Sequence, residues 1–279
     1  MPEKPQVIVL RTAGTNCDAE TAYAFQRFGA EVDLVHINRL FSREKSLAQY
    51  HILAIPGGFT YGDDIMAGRI LANELRLRLG QDIREFIRAG KLILGICNGF
   101  QVLVKAGFLP GSSESGESAG QTATLTYNDS GKFEDRWVHL KLSGRSVWTD
   151  GCDNIIFIPV AHAEGKFIPR DAEILRQLQA NDQIVFRYCA SDGQPGVYPD
   201  NPNGSVEHIA GICDPTGRIL GMMPHPERHL LFEQHPFWTR LKKESRFGHG
   251  FRIFYNGVNY IREKFLGCPG ALVPQEANS

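Results

Sequence analysis

The chain has 279 residues, with 30 Lys and Arg against 31 Asp and Glu, for a formal net charge of −1. That balance excludes the basic footprint of a general nucleic-acid or membrane-surface binder, while 42% hydrophobic residues suffice for a sizeable core. No apolar run nears the roughly 20 residues that span a bilayer, no signal-peptide core is evident, and six scattered cysteines without CxxC or finger spacing read as free thiols, so a cytoplasmic setting is expected.

In chain order, residues 7–10 form a short β-branched run, and 19–28 follow with helical spacing. Strands are predicted at 32–36 and 52–55. Residues 65–89 are expected to be helical, because Leu71, Leu75, Leu79, Ile83 and Ile87 recur every fourth position, and Gly90 closes that stretch. A buried strand at 92–96 leads into a helix starting near Phe100. This alternation implies a mostly parallel central sheet flanked by helices. The small polar stretch 111–120 reads as a surface loop. Closely spaced strands follow at 122–127, 137–142, 155–160, 184–190, 209–213 and 219–223, so some antiparallel pairing is expected in the second half. Short and closing helices are predicted at 172–178 and 252–265. Residues 1–279 read as a single domain with a core of about 7–265 and a loosely held tail at 266–279.

Gly95-Ile96-Cys97-Asn98-Gly99 places a thiol between a strand and a helix. Small residues two positions either side relieve the crowding of such a turn, as in the nucleophile elbow of hydrolases. A helix N-terminus favours a thiolate there, and the Asn98 N–H is a candidate oxyanion donor. An inert buried cysteine is the bland alternative.

Pro224-His225-Pro226-Glu227 supplies a possible partner. Pro224 ends a strand's ladder pairing, and Pro226 pushes His225 towards extended backbone. Side chains two apart on extended backbone share a side, so Glu227 can hold the His225 tautomer for general-base work. His162 and Glu164 have the same spacing and compete for that role; residue geometry leaves the choice open. Pro56-Gly57-Gly58-Phe59 follows a strand, and its glycines let backbone N–H groups of Gly58 and Phe59 turn towards an oxyanion. His208, His229, His235 and His249 lack metal-ligand spacing, so no metal is assigned. There is no GxxxxGK[ST] loop, which argues against a nucleotide site in this chain.

With these residues assembled, the chain resembles the class I glutamine amidotransferases, in particular the glutaminase components of phosphoribosylformylglycinamidine synthases. The general pattern lies in 95–101 and 225–227. The narrower resemblance lies in 14–18, 56–64, 131–136, 159–165, 201–205 and 221–228, with the likeness running from about 7 to 265. It implies a flavodoxin-like fold and a Cys97–His225–Glu227 triad, with His162 and Glu164 as lining or partner-facing residues. It also implies Gln101, Gly57 and His162 as glutamine-binding residues. Ala13 stands where the family has proline. Glutamine is the implied substrate and a synthetase subunit the implied partner; a further candidate is a small accessory subunit. No cofactor is implied in this chain, since ATP and Mg2+ belong with the synthetase. The rival readings are an amidotransferase subunit of another pathway, a cysteine hydrolase with the same elbow, and a catalytically silent module of the same fold.

Overall fold

The structure is a computed structural model that describes residues 3–63, 66–111, 121–243 and 245–269. Its first half runs β1 (Gln6–Arg11), α1 (Asp18–Arg27), β2 (Glu31–His36), α2 (Ile37–Phe41), β3 (Ile52–Ile55), α3 (Arg69–Arg78), α4 (Gly80–Arg88), β4 (Leu92–Ile96) and α5 (Asn98–Lys105). The second half runs β5 (Ala123–Thr126), β6 (Glu134–Leu142), β7 (Ile155–His162), β8 (Lys166–Pro169), α6 (Ala172–Ala180), β9 (Ile184–Cys189), β10 (Ile209–Cys213), β11 (Ile219–Met222) and α7 (Phe251–Phe265).

Nine strands form one sheet in the order β2-β1-β3-β4-β11-β10-β9-β6-β7. The β2-β1-β3-β4-β11 portion is parallel, and from β11 through β10, β9 and β6 to β7 the pairing is antiparallel. Every residue of β3 and β4 is buried, as continuous apolar strands covered on both faces must be. The helices supply that cover. α7 lays Phe254 edge-on against Phe25 of α1, with ring centroids 5.0 Å apart, and truncating either ring is expected to cost about 3–5 kcal/mol.

The join between the two halves positions the site. β11 pairs in parallel with β4, Gly221 opposite Gly95 and Met222 opposite Ile96. The chain leaving β11 and the chain leaving β4 therefore emerge side by side, and the Cys97 N–H donates to the Met222 carbonyl at 2.8 Å.

Some expectations need correction. The helical stretch at 65–89 is two helices, because Leu79, at φ −120°, ends one and precedes the other, with Gly80 opening the second. The strand at 123–126 is outside the main sheet and pairs with β8 in a separate two-stranded sheet. Helix α2 and strand β8 carry no expectation from sequence: both are five residues or fewer, too short for periodicity to register. Residues 112–120 of the expected loop and 270–279 of the expected tail lie outside the described residues.

Candidate active site

Cys97 stands at the junction of β4 and α5 with φ 52° and ψ −107°. A non-glycine residue with positive φ is strained by about 1–3 kcal/mol and persists only where its surroundings over-determine it. Those surroundings are visible at the two flanking glycines. A Cβ on Gly99 would lie 1.8 Å from the Ile55 carbonyl oxygen, and one on Gly95 would lie 2.7 Å from the Gly99 oxygen. Only glycines let the turn fold this tightly against β3. The Cys97 thiol is 3.6 Å from the Ala161 carbonyl oxygen at the end of β7.

His225 enters from the other half of the chain, its backbone N–H donating to the Pro159 carbonyl at 2.8 Å. Pro224 stops the ladder, as expected, and His225 takes φ −103° and ψ 88°. The extended geometry ends there. Pro226–Arg228 is a single 3-10 turn, and this turn, rather than strand alternation, brings the Glu227 carboxylate to the imidazole. The His225 Nδ1 to Glu227 Oε1 distance is 2.7 Å, and both residues are buried. A carboxylate only accepts, so the proton between them sits on Nδ1 and leaves Nε2 as the basic nitrogen. Burial disfavours charge on His225, but Glu227 first, then Cys97 and Cys17, outweigh it and raise its pKa well above the usual imidazole range. The His225 Nε2 and Glu227 Oε2 atoms are buried and complete no hydrogen bond among the described residues.

Gly57 is where the groups converge. A Cβ at Gly57 would lie 2.8 Å from His225 Cε1, 3.1 Å from Cys17 Sγ and 3.3 Å from Cys97 Cβ. Any side chain there would displace the imidazole. Beside it, Gly58 adopts φ +143°, a conformation open only to glycine, and its N–H has no acceptor among the described residues. The Phe59 N–H, expected as a second oxyanion donor, instead donates to the Gly14 carbonyl at 2.9 Å. A backbone bond across to the 14–17 loop has already used it, and the Phe59 ring is exposed near Phe133.

The remaining candidates sit in a buried network beside Cys97, His225 and Glu227. Thr60 donates to Asn98 Oδ1 at 2.7 Å, Asn98 Nδ2 donates to Gln101 Oε1 at 3.0 Å, and Gln101 Nε2 donates to the Glu164 carbonyl. Both ends of the Gln101 amide are thereby held. His162 and Glu164, expected as lining or partner-facing residues, are buried, at 3% and 7% exposed. His162 Nδ1 lies 3.1 Å from Asn128 Oδ1, and its Nε2 lies 3.5 Å from Asn203 Nδ2. The Glu164 carboxylate accepts from the Ala67 N–H and lies 3.7 Å from Lys105 Nζ. Burial, with the neighbouring His225 charge, pushes the His162 pKa down to about 3.

Residue-by-residue reading assigned no role to Cys17 or Arg228. The Arg228 guanidinium donates to Glu20 Oε1 at 3.0 Å and to Cys17 Sγ at 3.3 Å. Nothing in local spacing connects positions 17, 57, 97 and 225, which only the sheet order assembles. A cavity of about 1070 Å³ opens elsewhere, between the β10–β11 turn and α7, and none of Cys97, His225 and Glu227 lines it. It lies at the opposite end of β4 and β11 from Cys97.

Residues 4–261 match the model of the CobB/CobQ-like glutamine amidotransferase domain. The chain is 48% identical over 265 residues to phosphoribosylformylglycinamidine synthase subunit PurQ of Dehalococcoides mccartyi, covering 93% of this chain and 99% of that one. The chain belongs to the glutamine amidotransferase family. A second relative in the family, also named subunit PurQ and from Methanococcus maripaludis, is 46% identical over 273 residues, covering 93% and 98% of the two chains. The structure of PurLQS from Thermotoga maritima contains a chain that this amidotransferase matches with TM-score 0.70 and 30% identity, over 93% of this chain and all of that one. The glutaminase domain of CTPS from Trypanosoma brucei shares the fold alone, with TM-score 0.55 and 14% identity over 98% and 97% of the chains. Among the described residues no helix is long and apolar enough to cross a membrane.

Proposed function

We propose that this amidotransferase is the glutaminase component of a phosphoribosylformylglycinamidine synthase. It hydrolyses glutamine and passes the ammonia to an ATP-dependent synthetase subunit that converts formylglycinamide ribonucleotide to the formylglycinamidine. The observation that carries the reading is the buried His225–Glu227 pair, 2.7 Å across, meeting the strained Cys97 elbow beside Gly57. It does so in a chain 48% identical to a PurQ subunit over nearly its full length.

In this reading His225 Nε2 takes the Cys97 proton, while Glu227 holds the Nδ1 proton and stabilises the imidazolium. The sulfur attacks the carboxamide of glutamine, and the developing oxyanion is met by the backbone N–H groups of Gly58 and Asn98. The imidazolium returns its proton to the leaving nitrogen. Ammonia departs, a glutamyl thioester remains, and water deprotonated by the same imidazole releases glutamate. Gln101 acts by fixing Asn98 at the elbow. His162 backs the site as a neutral group.

Ammonia is mostly protonated in neutral water, so the acceptor must sit over the site. ATP and Mg2+ belong to the synthetase, and a small accessory subunit completes the proposed assembly. The setting is the reducing cytoplasm, consistent with free thiols at all six cysteines.

The test is Cys97→Ala in the complex. Glutamine-dependent synthesis is expected to vanish while synthesis from added ammonia stays near wild type. Normal glutamine use by the variant overturns the reading.

A further inference from the structure

Thr60 is buried, and its hydroxyl donates to Asn98 Oδ1 at 2.7 Å across 38 positions of sequence. The direction of that bond is forced. The Glu164 carbonyl only accepts, so it draws Gln101 Nε2 and leaves Gln101 Oε1 to accept from Asn98 Nδ2 at 3.0 Å. Asn98 Oδ1 is thereby turned to Thr60, whose hydroxyl is the donor. Every residue in this relay is buried, where a lost partner is costly. The relay joins the two segments that carry Gly58 and Asn98. Residues 57–61 form a strap held on one flank by the 13–14 loop. There Phe59 N–H donates to the Gly14 carbonyl at 2.9 Å and Tyr61 N–H to the Ala13 carbonyl at 2.7 Å. Asn98 belongs to the elbow and follows Cys97, at φ 52°. The β3–β4 ladder ends at the Ile55–Gly95 pair, before either Gly58 or Asn98 is reached. Beyond it, the Thr60 hydroxyl spans from strap to elbow.

We propose that Thr60 is a positioning residue for the glutaminase reaction, its hydroxyl setting the Gly58 and Asn98 N–H groups at the spacing a tetrahedral oxyanion needs. It touches no reacting atom. Its effect passes through Asn98, and it rests on the proposed reading of Gly58 and Asn98 as the oxyanion donors. Donors preorganised where charge develops act on the transition state and little on bound glutamine. Without the hydroxyl, Asn98 Oδ1 loses a buried donor and the strained turn at Cys97 loses one of the bonds that fix it. The Asn98 N–H then drifts from the point at which Gly58 aims.

The test uses the full chain in complex with the synthetase. Thr60→Val keeps the side-chain shape and removes the hydroxyl; Thr60→Ser keeps the hydroxyl and removes the methyl. Thr60→Val is expected to lower kcat for glutamine hydrolysis by about 10–50-fold, short of the roughly 10²–10³-fold cost of deleting a whole oxyanion donor. Glutamine binding, measured in the unreactive Cys97→Ala background, should change by less than about threefold when Thr60→Val is added. The γ-aldehyde analogue of glutamine probes the tetrahedral state. The Cys97 sulfur adds to its carbonyl carbon, the C=O π pair moves onto oxygen, and the thiol proton passes to His225, so nothing leaves. Affinity for the aldehyde should fall in step with kcat in Thr60→Val, and Thr60→Ser should restore both. A folded Thr60→Val variant with wild-type kcat and aldehyde affinity overturns the proposal. So does an equal loss of glutamine and aldehyde affinity, or a Thr60→Ser variant as impaired as the valine one. Circular dichroism checks folding, and Thr60→Ala serves if the valine variant does not fold. Continued glutamine hydrolysis by Cys97→Ala would overturn the underlying triad reading instead, whatever Thr60→Val does.

Discussion

The chain carries two His-x-Glu segments, 162–164 and 225–227, with identical spacing and similar burial, yet they do opposite things. In the second, a 3-10 turn folds Glu227 back onto His225 at 2.7 Å. In the first, His162 ends strand β7 and turns to Asn128 and Asn203, while Glu164 goes to Lys105 and Ala67. The imidazole facing a carboxylate is driven towards its charged form, and the one facing amides is held neutral down to about pH 3. Burial is common to both, so it cannot be what makes a histidine a base. The charge opposite the ring decides.

The comparison breaks most sharply at the rings themselves. His225→Asn is expected to lower glutamine turnover by about 10³–10⁴-fold or more, whereas His162→Asn, measured in the same steady-state assay, is expected to lose less than tenfold. Equal losses would dissolve the distinction. Gly57→Ala comes next. Its methyl carbon would sit 2.8 Å from His225 Cε1, and shifting a base by about 1 Å costs on the order of 10²-fold. The loss should appear in kcat while thermal stability changes little.

A third effect concerns stability, and its sign follows from the His162 environment. Unfolded imidazole takes a proton near pH 6.5, about the ordinary value, whereas folded His162 refuses one until about pH 3. The unfolded state therefore binds the extra proton, and stability falls as pH drops from about 6.5 towards 3, by up to ~4 kcal/mol from this group. Denaturant melts of His162→Asn across that range should show a flatter pH dependence than wild type. A parallel curve would mean that His162 is accessible to protons in the native chain. His225 works in the opposite direction, adding stability below the ordinary imidazole range that is lost as pH rises through its raised folded value.

Much of this is legible in the sequence. The buried apolar runs at 7–10, 52–55 and 92–96 are β1, β3 and β4, because strands covered on both faces cannot alternate. The elbow is legible because glycines at 95 and 99 have only one good use around a thiol. The rest depends on relationships that local pattern does not encode. Nothing in the 122–127 run says that its partner is a four-residue strand ending in proline, with which it leaves the main sheet. Nothing at Phe59 says that its N–H is already given to Gly14. The two His-x-Glu segments could not be ranked from the residues alone, since the turn that separates them is a property of Pro226 in context.

Gly99 presses so closely on Ile55 that even one added carbon would meet the carbonyl oxygen at 1.8 Å. The sulfur's position is thus borrowed from the register between two neighbouring strands and owes little to the loops around it. Surface insertions can come and go at the rim while the sulfur stays put. A slip of one rung in the ladder beneath would carry it away from His225 without altering a single side chain.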